Sequence, residues 1–536
     1  DSIQTLSIEV TKAVNQIPTA TLVFIDGDPA TGDFKLSNQN LFLPGADIEI
    51  SIGYDNRQAV VFKGIITAHS ISINSHGSQL QIECKDAIFS TTLTRQCRNF
   101  AELSDSQVIQ NILSEYPITR EINSSNVVHQ KLTQYDVSDW DFILNRADVN
   151  GMIGVADDGK FSVQPPDVSQ SSILTLTYGD SILEFDAKID ATLQPKGVTA
   201  LAWDAANHKS IKVKASEPNT NDWGNLSAKK LSSSIKSPVY EMRHGGDLSE
   251  DELKAWADAK LLRQRLAKIQ GRVKFQGIAN VKPNTVIELK GLGSRFNGKA
   301  YVSAVHHKIA KGDWLTEAEL GLDAKWLERR TEKNLLLSTP LIPAIAGLQF
   351  GMVVQLEDDP AGEDRIKIKL PTTDEKDDGI WARLVYLDAS KKRNESFQPK
   401  VDDEVIVGFI NADPRQAIVL GIVHSSQSLT TETNSDEEDK KIIHLKTSAG
   451  NEIILNDEHR NLILADQNGN KIILDQNGIR IESNKNILLD AEGNLTEKGL
   501  NIDLAAKATL KANGNAGAEL SASGITTIKG ALVRIN

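Results

Sequence analysis

Two adjacent histidines and two cysteines are the side chains of this chain best suited to metal binding or nucleophilic chemistry. His306 and His307 are neighbours, and neighbouring residues of a strand point to opposite faces, so they do not suit one shared metal ion. Cys84 and Cys97 lack the C-x-x-C spacing of redox and zinc motifs. The sequence therefore predicts no metal site, no cofactor and no cysteine nucleophile.

Carboxylates and glycines offer two other kinds of chemistry. A glycosidase needs two carboxylates placed across a sugar, in a domain of its own. Asp436, Glu437 and Glu438 lie in the short polar stretch 425–441, which leaves no room for such a domain, so we interpret them as solvated charge. The Gly291–Gly293 segment precedes no predicted helix and no Lys-Ser/Thr pair, which argues against a phosphate-binding loop. A non-enzymatic protein is therefore expected.

The composition is that of a soluble, acidic, multidomain protein. The chain has 536 residues, of which 40% are hydrophobic and 24% charged, and its net charge is −13. An acidic surface repels phosphate groups, so nucleic acid and anionic lipid surfaces are not expected as direct partners. No apolar stretch approaches a membrane span, the first residues show no secretory signal, and two cysteines suit a protein made in the cytosol.

Residues 1–330 combine strand patterns with three predicted helices. Each helix begins with a capping residue: Ser104 with Gln107, Ser138, and Ser249 with Glu252. The first helix is expected to run to about Tyr116, before a proline, and the second to end at Gly151. These patterns predict an α+β region with two β-rich, barrel-like parts.

Two connecting stretches flank a compact set of strands. Residues 331–349 contain Pro340 and Pro343 and are predicted to form an extended linker. Residues 350–424 contain five short strand patterns, which suit a small barrel of the OB-fold type. Residues 425–441 are polar and acidic, and they are predicted to form a solvated connector.

Residues 442–536 consist of short strand patterns separated by Asn-Gly and similar turns, without Trp, Phe, Tyr, Cys, Met or Pro. Apolar and charged residues alternate, as with Ile479 and Ile481 against Arg480 and Glu482. Such strands must bury their apolar face, either in a single-chain solenoid or in a rod wound from three chains. About 95 residues would give a solenoid few coils and no evident cap, which favours the three-chain rod.

Several ordered motifs resemble a known family. The barrel region carries, in order, Asp364–Ile368, Trp381–Leu384, Pro399–Phe409 and Asp413–Gly421. This series resembles the gp5-like barrel of the VgrG spike family, which is found in type VI secretion, contractile phage tails and extracellular contractile injection systems. The second helix is similar to the family's Asp-x-x-Phe/Leu-x-x-Arg pattern, with Asp139, Phe142 or Ile143, and Arg146. The ending, residues 524–536, resembles the blunt tip of such spikes.

The resemblance implies the rest of the fold and the partners. Residues 1–330 would be a gp27-like hub, 350–424 a gp5-like OB-fold, and 442–536 an intertwined β-helix spike, so the fold class is mainly β and multidomain. The implied assembly is a homotrimer with a hexameric inner tube protein, baseplate and hub proteins, a PAAR-type tip protein and, as a further candidate, effector cargo. The tip protein would dock on Ala531, Leu532, Val533, Arg534, Ile535 and Asn536.

The compact length most resembles the spikes of the Photorhabdus virulence cassette and the antifeeding prophage. The implied function is a structural spike that caps the inner tube, joins the baseplate and punctures the target envelope on sheath contraction, contacting the membrane only then. The protein would be made in the bacterial cytoplasm, assembled into a phage tail-like particle and released. Two alternatives stay open: a type VI secretion spike, and a trimeric receptor-binding fibre, although the sequence ends on a bare rod without the aromatic head typical of fibres.

Overall fold

The computed structural model describes residues 3–54, 57–75, 77–204, 207–220, 223–324, 337–338, 342–373, 377–386, 398–423, 442–447 and 449–535. The chain divides into two compact units, Asp1–Ser428 and Leu429–Asn536, and each is described by itself. Strands are the main regular elements of both units, which confirms the predicted, mainly β fold class. The whole predicted acidic connector 425–441, with Asp436, Glu437 and Glu438, lies outside the described residues.

The first five strands form one β-rich part. Their bounds are β1 (Thr5–Ala13), β2 (Thr19–Ile25), β3 (Asp47–Tyr54), β4 (Arg57–Asn74) and β5 (Gly77–Lys85). They pair antiparallel in the order β1-β2-β5-β4-β3. Side chains alternate between core and surface, as on β2, where Ala20, Leu22 and Phe24 are buried. These residues share a core with Phe62 and Leu80.

A mixed segment of strands and helices follows. Its bounds are β6 (Arg95–Ser104), α1 (Asp105–Leu113), β7 (Thr119–Ile122), β8 (Val128–Ser138), α2 (Asp139–Val149), β9 (Ile153–Asp157) and β10 (Lys160–Gln164). Ser104 and Gln107 form a reciprocal capping box at α1, as predicted. Ser138 caps α2, and Gly151, with a φ of +68°, lies just beyond its end.

The second β-rich part also contains three helices. Its bounds are β11 (Thr175–Thr177), β12 (Glu184–Ile189), β13 (Gly197–Asp204), β14 (Lys209–Lys214), α3 (Ala228–Ser234), β15 (Val239–Arg243), α4 (Glu250–Leu266), β16 (Ile269–Gln276), β17 (Thr285–Lys290), α5 (Gly293–Phe296), β18 (Gly298–Ala310) and β19 (Asp313–Leu320). Phe275 and Val302 lie in its core. Trp256 and Leu253 of α4 pack with Ala200 of β13 in a separate cluster.

The two β-rich parts share one 11-stranded sheet in the order β12-β16-β19-β18-β1-β2-β5-β4-β3, with β17 on β18 and β11 on β17. Strand β1 is the junction, because Val10 lies opposite Ala20 of β2 and opposite His307 of β18. Backbone hydrogen bonds therefore join the parts, while each keeps its own core.

Three local predictions for this region differ from the structure. Helix α1 ends at Leu113 rather than near Tyr116, because Pro117 disfavours helical backbone in the residue before it, and the last residues form tighter turns. Helix α3, which begins after Ser227, was not predicted because it is short and polar. A single turn, α5, follows Leu292 where no helix was predicted, and no Lys-Ser/Thr pair accompanies it.

A closed barrel follows the N-terminal region (residues 3–324). Two short paired strands precede it, β20 (Leu337–Ser338) and β21 (Ile342–Pro343), while Pro340 of the predicted linker lies outside the described residues. The barrel strands are β22 (Gln349–Gln355), β23 (Ile366–Lys369), β24 (Ile380–Leu384), β25 (Glu404–Phe409) and β26 (Ala417–Ile422). Their closed order, β22-β23-β24-β26-β25, confirms the predicted five-stranded barrel.

The second unit begins as an antiparallel meander. Its strands are β27 (Ile442–Lys446), β28 (Glu452–Asn456), β29 (Asn461–Ala465), β30 (Lys471–Asp475) and β31 (Gly478–Glu482). Each pairs with the next one along the chain. The strands predicted beyond Glu482 are not formed in the single chain: among the described residues 483–535 there is no strand or helix, and nearly all side chains are exposed. A strand needs a neighbouring backbone to pair with, and the isolated chain presents none there.

Candidate functional site

The barrel contacts the N-terminal region across a surface that we call the seam. Ile342 is fully buried in the core around α2, beside Trp140, whereas Ile345 is buried in the barrel core with Val353. Tyr135 of β8 also packs against the barrel core. The stretch predicted as a linker therefore contributes side chains to both cores and fastens one to the other.

A buried ionic network crosses the seam. Arg415 of the barrel donates from Nη1 to Glu252 Oε1 of α4 at 2.6 Å, and from Nη2 to Asp413 Oδ2 at 2.8 Å. His244 Nε2, from the N-terminal region, lies 3.2 Å from Asp413 Oδ2. Asp413, Glu252 and His244 are buried and the Arg415 side chain is 10% exposed, so the two carboxylates and the guanidinium depend on one another for charge compensation.

In this network, neighbouring charges affect the pKa values of Asp413 and Arg415 more strongly than burial does. Burial by itself raises the pKa of the Asp413 carboxyl, but the neighbouring Arg415 and His244 hold that pKa well below its usual range. Burial likewise disfavours the charged form of Arg415, yet Asp413 and Glu252 raise the pKa of its guanidinium. Both groups therefore stay ionised, and the network holds the barrel in one orientation on α4.

Glu252 has a different role from the predicted one. The Ser249 hydroxyl accepts from the Glu252 amide at 3.2 Å, so the cap itself is present. The Glu252 carboxylate, however, binds Arg415 instead of closing the capping box, because a buried guanidinium offers a stronger, charge-assisted hydrogen bond than a backbone amide.

A second ionic contact lies at the other side of the seam. Lys131 of β8 donates to Asp377 Oδ1 at 2.9 Å and to Asp378 Oδ1 at 3.0 Å, and it also contacts the Gly379 carbonyl. Lys367 donates to Asp378 Oδ2 at 2.7 Å. Hydrogen bonding to Lys367, together with Lys131, lowers the pKa of Asp378 to about 2. The two ionic contacts border one open cavity of about 740 Å³.

The cavity has an acidic wall. Asp204 and Asp247 of the N-terminal region and Glu363 of the barrel line it together with Trp381. Burial raises the pKa of Asp247, and the like charges of Asp204 and Glu363 add to that rise. Within the described ranges, no group of three His, Cys, Asp or Glu side chains is placed to hold a metal ion. The cavity is a polar gap in the seam with acidic side chains on one wall.

The residues of α2 that match the Asp-x-x-Phe/Leu-x-x-Arg pattern pack the helix against its neighbours. Asp139 Oδ2 accepts from Arg98 Nη2 at 2.9 Å and from the Tyr116 hydroxyl at 2.6 Å. Arg146, fully buried, donates from Nε to Asp105 Oδ1 at 2.6 Å. Phe142 and Ile143 lie in the core beside them. These residues fasten α2 to β6 and α1, and nothing in their arrangement leaves a reactive group open to a substrate.

The histidines and Cys84, which the sequence analysis considered for metal binding and nucleophilic chemistry, make separate contacts. His306 bonds through Nδ1 to Thr11 at 2.9 Å, whereas His307 turns inward and bonds to Thr316 at 2.9 Å. Burial lowers the pKa of His307 to about 4. Cys84 is buried, which raises the pKa of its thiol to about 12 and keeps it unreactive. No described helix is long and apolar enough to cross a bilayer.

Large apolar side chains of the second unit remain in water. Ile479 is 72% exposed and Leu500 is 99% exposed, although both belong to the alternating pattern. The same holds for Ile481, Ile487, Leu488, Leu489, Leu495, Ile502, Leu504, Leu510, Leu520, Ile525 and Ile528. The predicted tip residues Ala531–Ile535 are exposed as well, while Asn536 lies outside the described residues.

The barrel presents a similar surface. Strands β22 and β26 carry exposed apolar residues on their outer side: Leu348 just before β22, then Phe350, Met352, Val354, Leu420 and Ile422. The half-buried Ile406 of the intervening strand β25 lies opposite Phe350. Soluble monomers rarely expose contiguous apolar surfaces of this kind, which usually mark an interface with another chain.

Some seam residues could be found from the sequence and others could not. Asp413 and Arg415 belong to the ordered barrel motifs, so the resemblance marked them without giving a role. His244 and Lys131 stand in no motif, and their partners lie far along the chain, so no local signal could have identified them.

Two family profiles match the chain. Residues 1–311 match the Alg8 N-terminal domain, and residues 349–424 match the type VI secretion system/phage-baseplate injector OB domain. No curated protein sequence matches.

Solved structures show the same fold at low identity. The Escherichia coli c3393 protein is described as a component of the type VI secretion system with structural similarity to the T4 bacteriophage tail proteins gp27 and gp5. It is 12% identical, with 79% of this chain and 97% of that chain covered and a TM-score of 0.51. The Francisella PdpA–VgrG complex, in its lidded form, is 11% identical, with 90% of this chain and 76% of that chain covered and a TM-score of 0.53. Through its first 311 residues the chain belongs to the family of the Alg8 N-terminal domain, and with its injector-type OB domain it has the VgrG/gp27–gp5-like spike fold.

Proposed function

We propose that this protein is the structural central spike of a contractile injection system. Three copies form a hub that caps the inner tube and joins the baseplate, and their C-terminal parts wind into a β-helical needle that punctures the target envelope on sheath contraction. The protein acts mechanically and not as an enzyme, and nucleic acid is not among its ligands.

The observation that carries this proposal is the exposed apolar surface of residues 442–535, which we call the needle. Each isoleucine or leucine removed from water contributes roughly 1.5–3 kcal/mol. A single chain leaves Ile479, Leu500 and similar residues exposed. Winding with two further copies covers these side chains. It also supplies neighbouring strands for the backbone after Glu482, so one assembly accounts for both the exposed apolar side chains and the unpaired backbone.

The barrel and the seam support the same role. The exposed outer strands of the barrel, with Phe350 and Ile422, give the copies a second surface on which to meet. The buried Arg415–Glu252 contact fixes the barrel on the N-terminal region, so that an axial force on the hub reaches the barrel without a loose joint.

Further partners and the location follow from this role. The proposed partners are a hexameric inner tube protein, baseplate and hub proteins, effector cargo and a PAAR-type tip protein that docks on Ala531–Asn536. The particle most like the proposed one is the Photorhabdus virulence cassette or the antifeeding prophage, made in the bacterial cytoplasm and released. A cell-anchored type VI secretion spike is the alternative, and sedimentation of culture supernatant against cells separates the two.

The decisive experiment is the molar mass of the full-length protein in solution by light scattering. We expect three times the chain mass of 58.6 kDa. A folded full-length protein that stays monomeric at high concentration contradicts the proposal. A peptidoglycan zymogram of the same sample tests the enzymatic alternative, and we expect no clearing.

A further inference from the structure

The end of the needle carries the opposite charge from the rest of the chain. The charged residues between Leu504 and Ile535 are Lys507, Lys511, Glu519, Lys529 and Arg534, four basic and one acidic, and all five are exposed. The preceding part of the needle, residues 442–503, has ten acidic residues against six basic. The whole chain has a net charge of −13. Residues 504–535, which we call the distal segment, are therefore a basic end on an acidic protein.

The sequence pattern places these cations on the outside of a wound needle. Lys507 and Lys511 alternate with Ala508 and Leu510, so the lysines share the polar face of an extended chain. Arg534 likewise stands between two apolar residues. Three wound copies would gather twelve basic and three acidic side chains around one end.

Because salt screens distant charges, the charges close to the distal segment determine its electrostatic interactions with a partner. Exposed charges further apart than about 8 Å at physiological ionic strength act almost independently. The acidic residues of the barrel and hub therefore do not cancel the charge of the distal segment for a surface that meets the needle end first.

We propose that the distal segment is a docking surface for an anionic membrane, in which its lysines and arginine contact lipid phosphate groups. This inference rests on the proposed trimeric needle and names the surface that the needle engages. It overrides the expectation, drawn from total charge alone, that anionic lipid is repelled. The cations extend back to Lys507, well away from the blunt end, and a small acidic cap on residues 531–536 would leave Lys507 and Lys511 uncovered. A membrane that surrounds the needle reaches all of them.

The test is co-sedimentation of the full-length protein with vesicles of phosphatidylcholine, with or without about 30% phosphatidylglycerol, at low and high salt. Two variants carry the same change in charge. In the distal variant the substitutions are Lys507→Glu, Lys511→Glu, Lys529→Glu and Arg534→Glu. In the control variant they are Lys446→Glu, Lys471→Glu, Arg480→Glu and Lys485→Glu, in the proximal needle.

We expect the wild type to bind the anionic vesicles at low salt and to lose binding at high salt. The distal variant should bind at least tenfold more weakly, and the control variant within about twofold of the wild type. A neutral version, with glutamine at the four distal positions, covers the case in which charge reversal prevents assembly, and it should lose most of the binding as well.

Three results would overturn the inference: no preference of the wild type for anionic vesicles, equal losses in the distal and control variants, or unchanged binding of the neutral version. Molar mass, measured on the same samples, separates the two proposals. A trimer that ignores anionic vesicles contradicts only the membrane contact, whereas a monomer contradicts the proposed function itself.

Discussion

Arg415 Nη1 lies 2.6 Å from Glu252 Oε1, although 163 positions separate the two residues in the chain. Glu252 belongs to the first turn of α4, and Arg415 lies two residues before the last barrel strand, so one hydrogen-bonded ion pair fixes the barrel on a helix of the N-terminal region. Both side chains are at most 10% exposed. Removing Arg415 leaves the buried Glu252 carboxylate without this counterion, whereas Arg415 without Glu252 still pairs with Asp413.

Replacing Arg415 with methionine should destabilise the barrel strongly. The change leaves the Glu252 and Asp413 carboxylates buried without their guanidinium, and breaking a buried pair in this way costs about 3–5 kcal/mol. The measurement is denaturant-induced unfolding followed by fluorescence, together with limited proteolysis between barrel and hub. We expect a lower unfolding midpoint and earlier cleavage.

The matched control is Arg243→Met. Arg243 pairs with Glu241 at 2.7 Å, but its side chain is 74% exposed, so its loss should cost no more than about 1 kcal/mol. If both variants unfold at the same midpoint, the seam network contributes no more than a surface ion pair, and its proposed role in holding the barrel is wrong.

Replacing Lys131 with methionine should loosen the other side of the seam. Lys131 connects β8 to Asp377, Asp378 and the Gly379 carbonyl, and its side chain is 20% exposed. The expected loss of stability is about 1–2 kcal/mol, with faster amide hydrogen exchange around residues 377–380. Lys160→Met, which removes an exposed pair with Glu121, should leave that exchange unchanged.

Local features of this fold could be predicted from the sequence because neighbouring residues determine them. The Ser104–Gln107 capping box and the five barrel strands depend on side chains a few positions apart, and the structure contains them. Glu252 shows the limit of such reasoning. The same spacing predicted a capping box at α4, but a guanidinium from a distant segment takes the carboxylate.

Long-range relationships left no comparable signal. Lys131 and Asp377 are 246 positions apart, and neither stands in a recognisable motif. The pairing of β1 with β18, which joins the two β-rich parts, also depends on the tertiary fold rather than on either strand's own pattern. In the needle, the alternation of apolar and charged residues is clear in the sequence. The strands that would cover its apolar side, however, belong to other copies of the chain.

His307 should make stability depend on pH in a defined window. Burial, with the charges of Lys12 and His306, lowers its pKa to about 4 from the usual value near 6.5. Between these values the unfolded chain binds the proton and the folded chain does not. The stabilisation is therefore complete above about pH 6.5 and is lost as the pH falls through 4, by about 2–3 kcal/mol.

The measurement is the unfolding free energy of wild type and His307→Gln between pH 4 and 8. The glutamine keeps a polar group near Thr316 but does not titrate, so its profile should be flatter in this window. His208→Asn, at an exposed position, should keep the wild-type slope. The depressed pKa values of Asp105 and Asp413 lower stability below about pH 5, but wild type and variant share this effect, so it cancels in their comparison. Parallel profiles for wild type and His307→Gln would contradict the prediction.

Charged substitutions on the apolar side of the needle should separate the copies. The double variant Ile479→Asp and Ile481→Asp places two carboxylates where the alternation requires a shared core, and each would be buried without a partner at a cost of several kcal/mol per copy. Arg480→Asn, on the opposite side of the same strand, is the matched control and should remain assembled, because the Arg480 side chain is 66% exposed and pairs with Glu482 on its own strand.

Light scattering should show monomers for the double variant and trimers for the control, while circular dichroism should show the hub and barrel still folded in both. A double variant that stays trimeric would mean that Ile479 and Ile481 face solvent in the assembly, and the winding of three needles would then need another explanation.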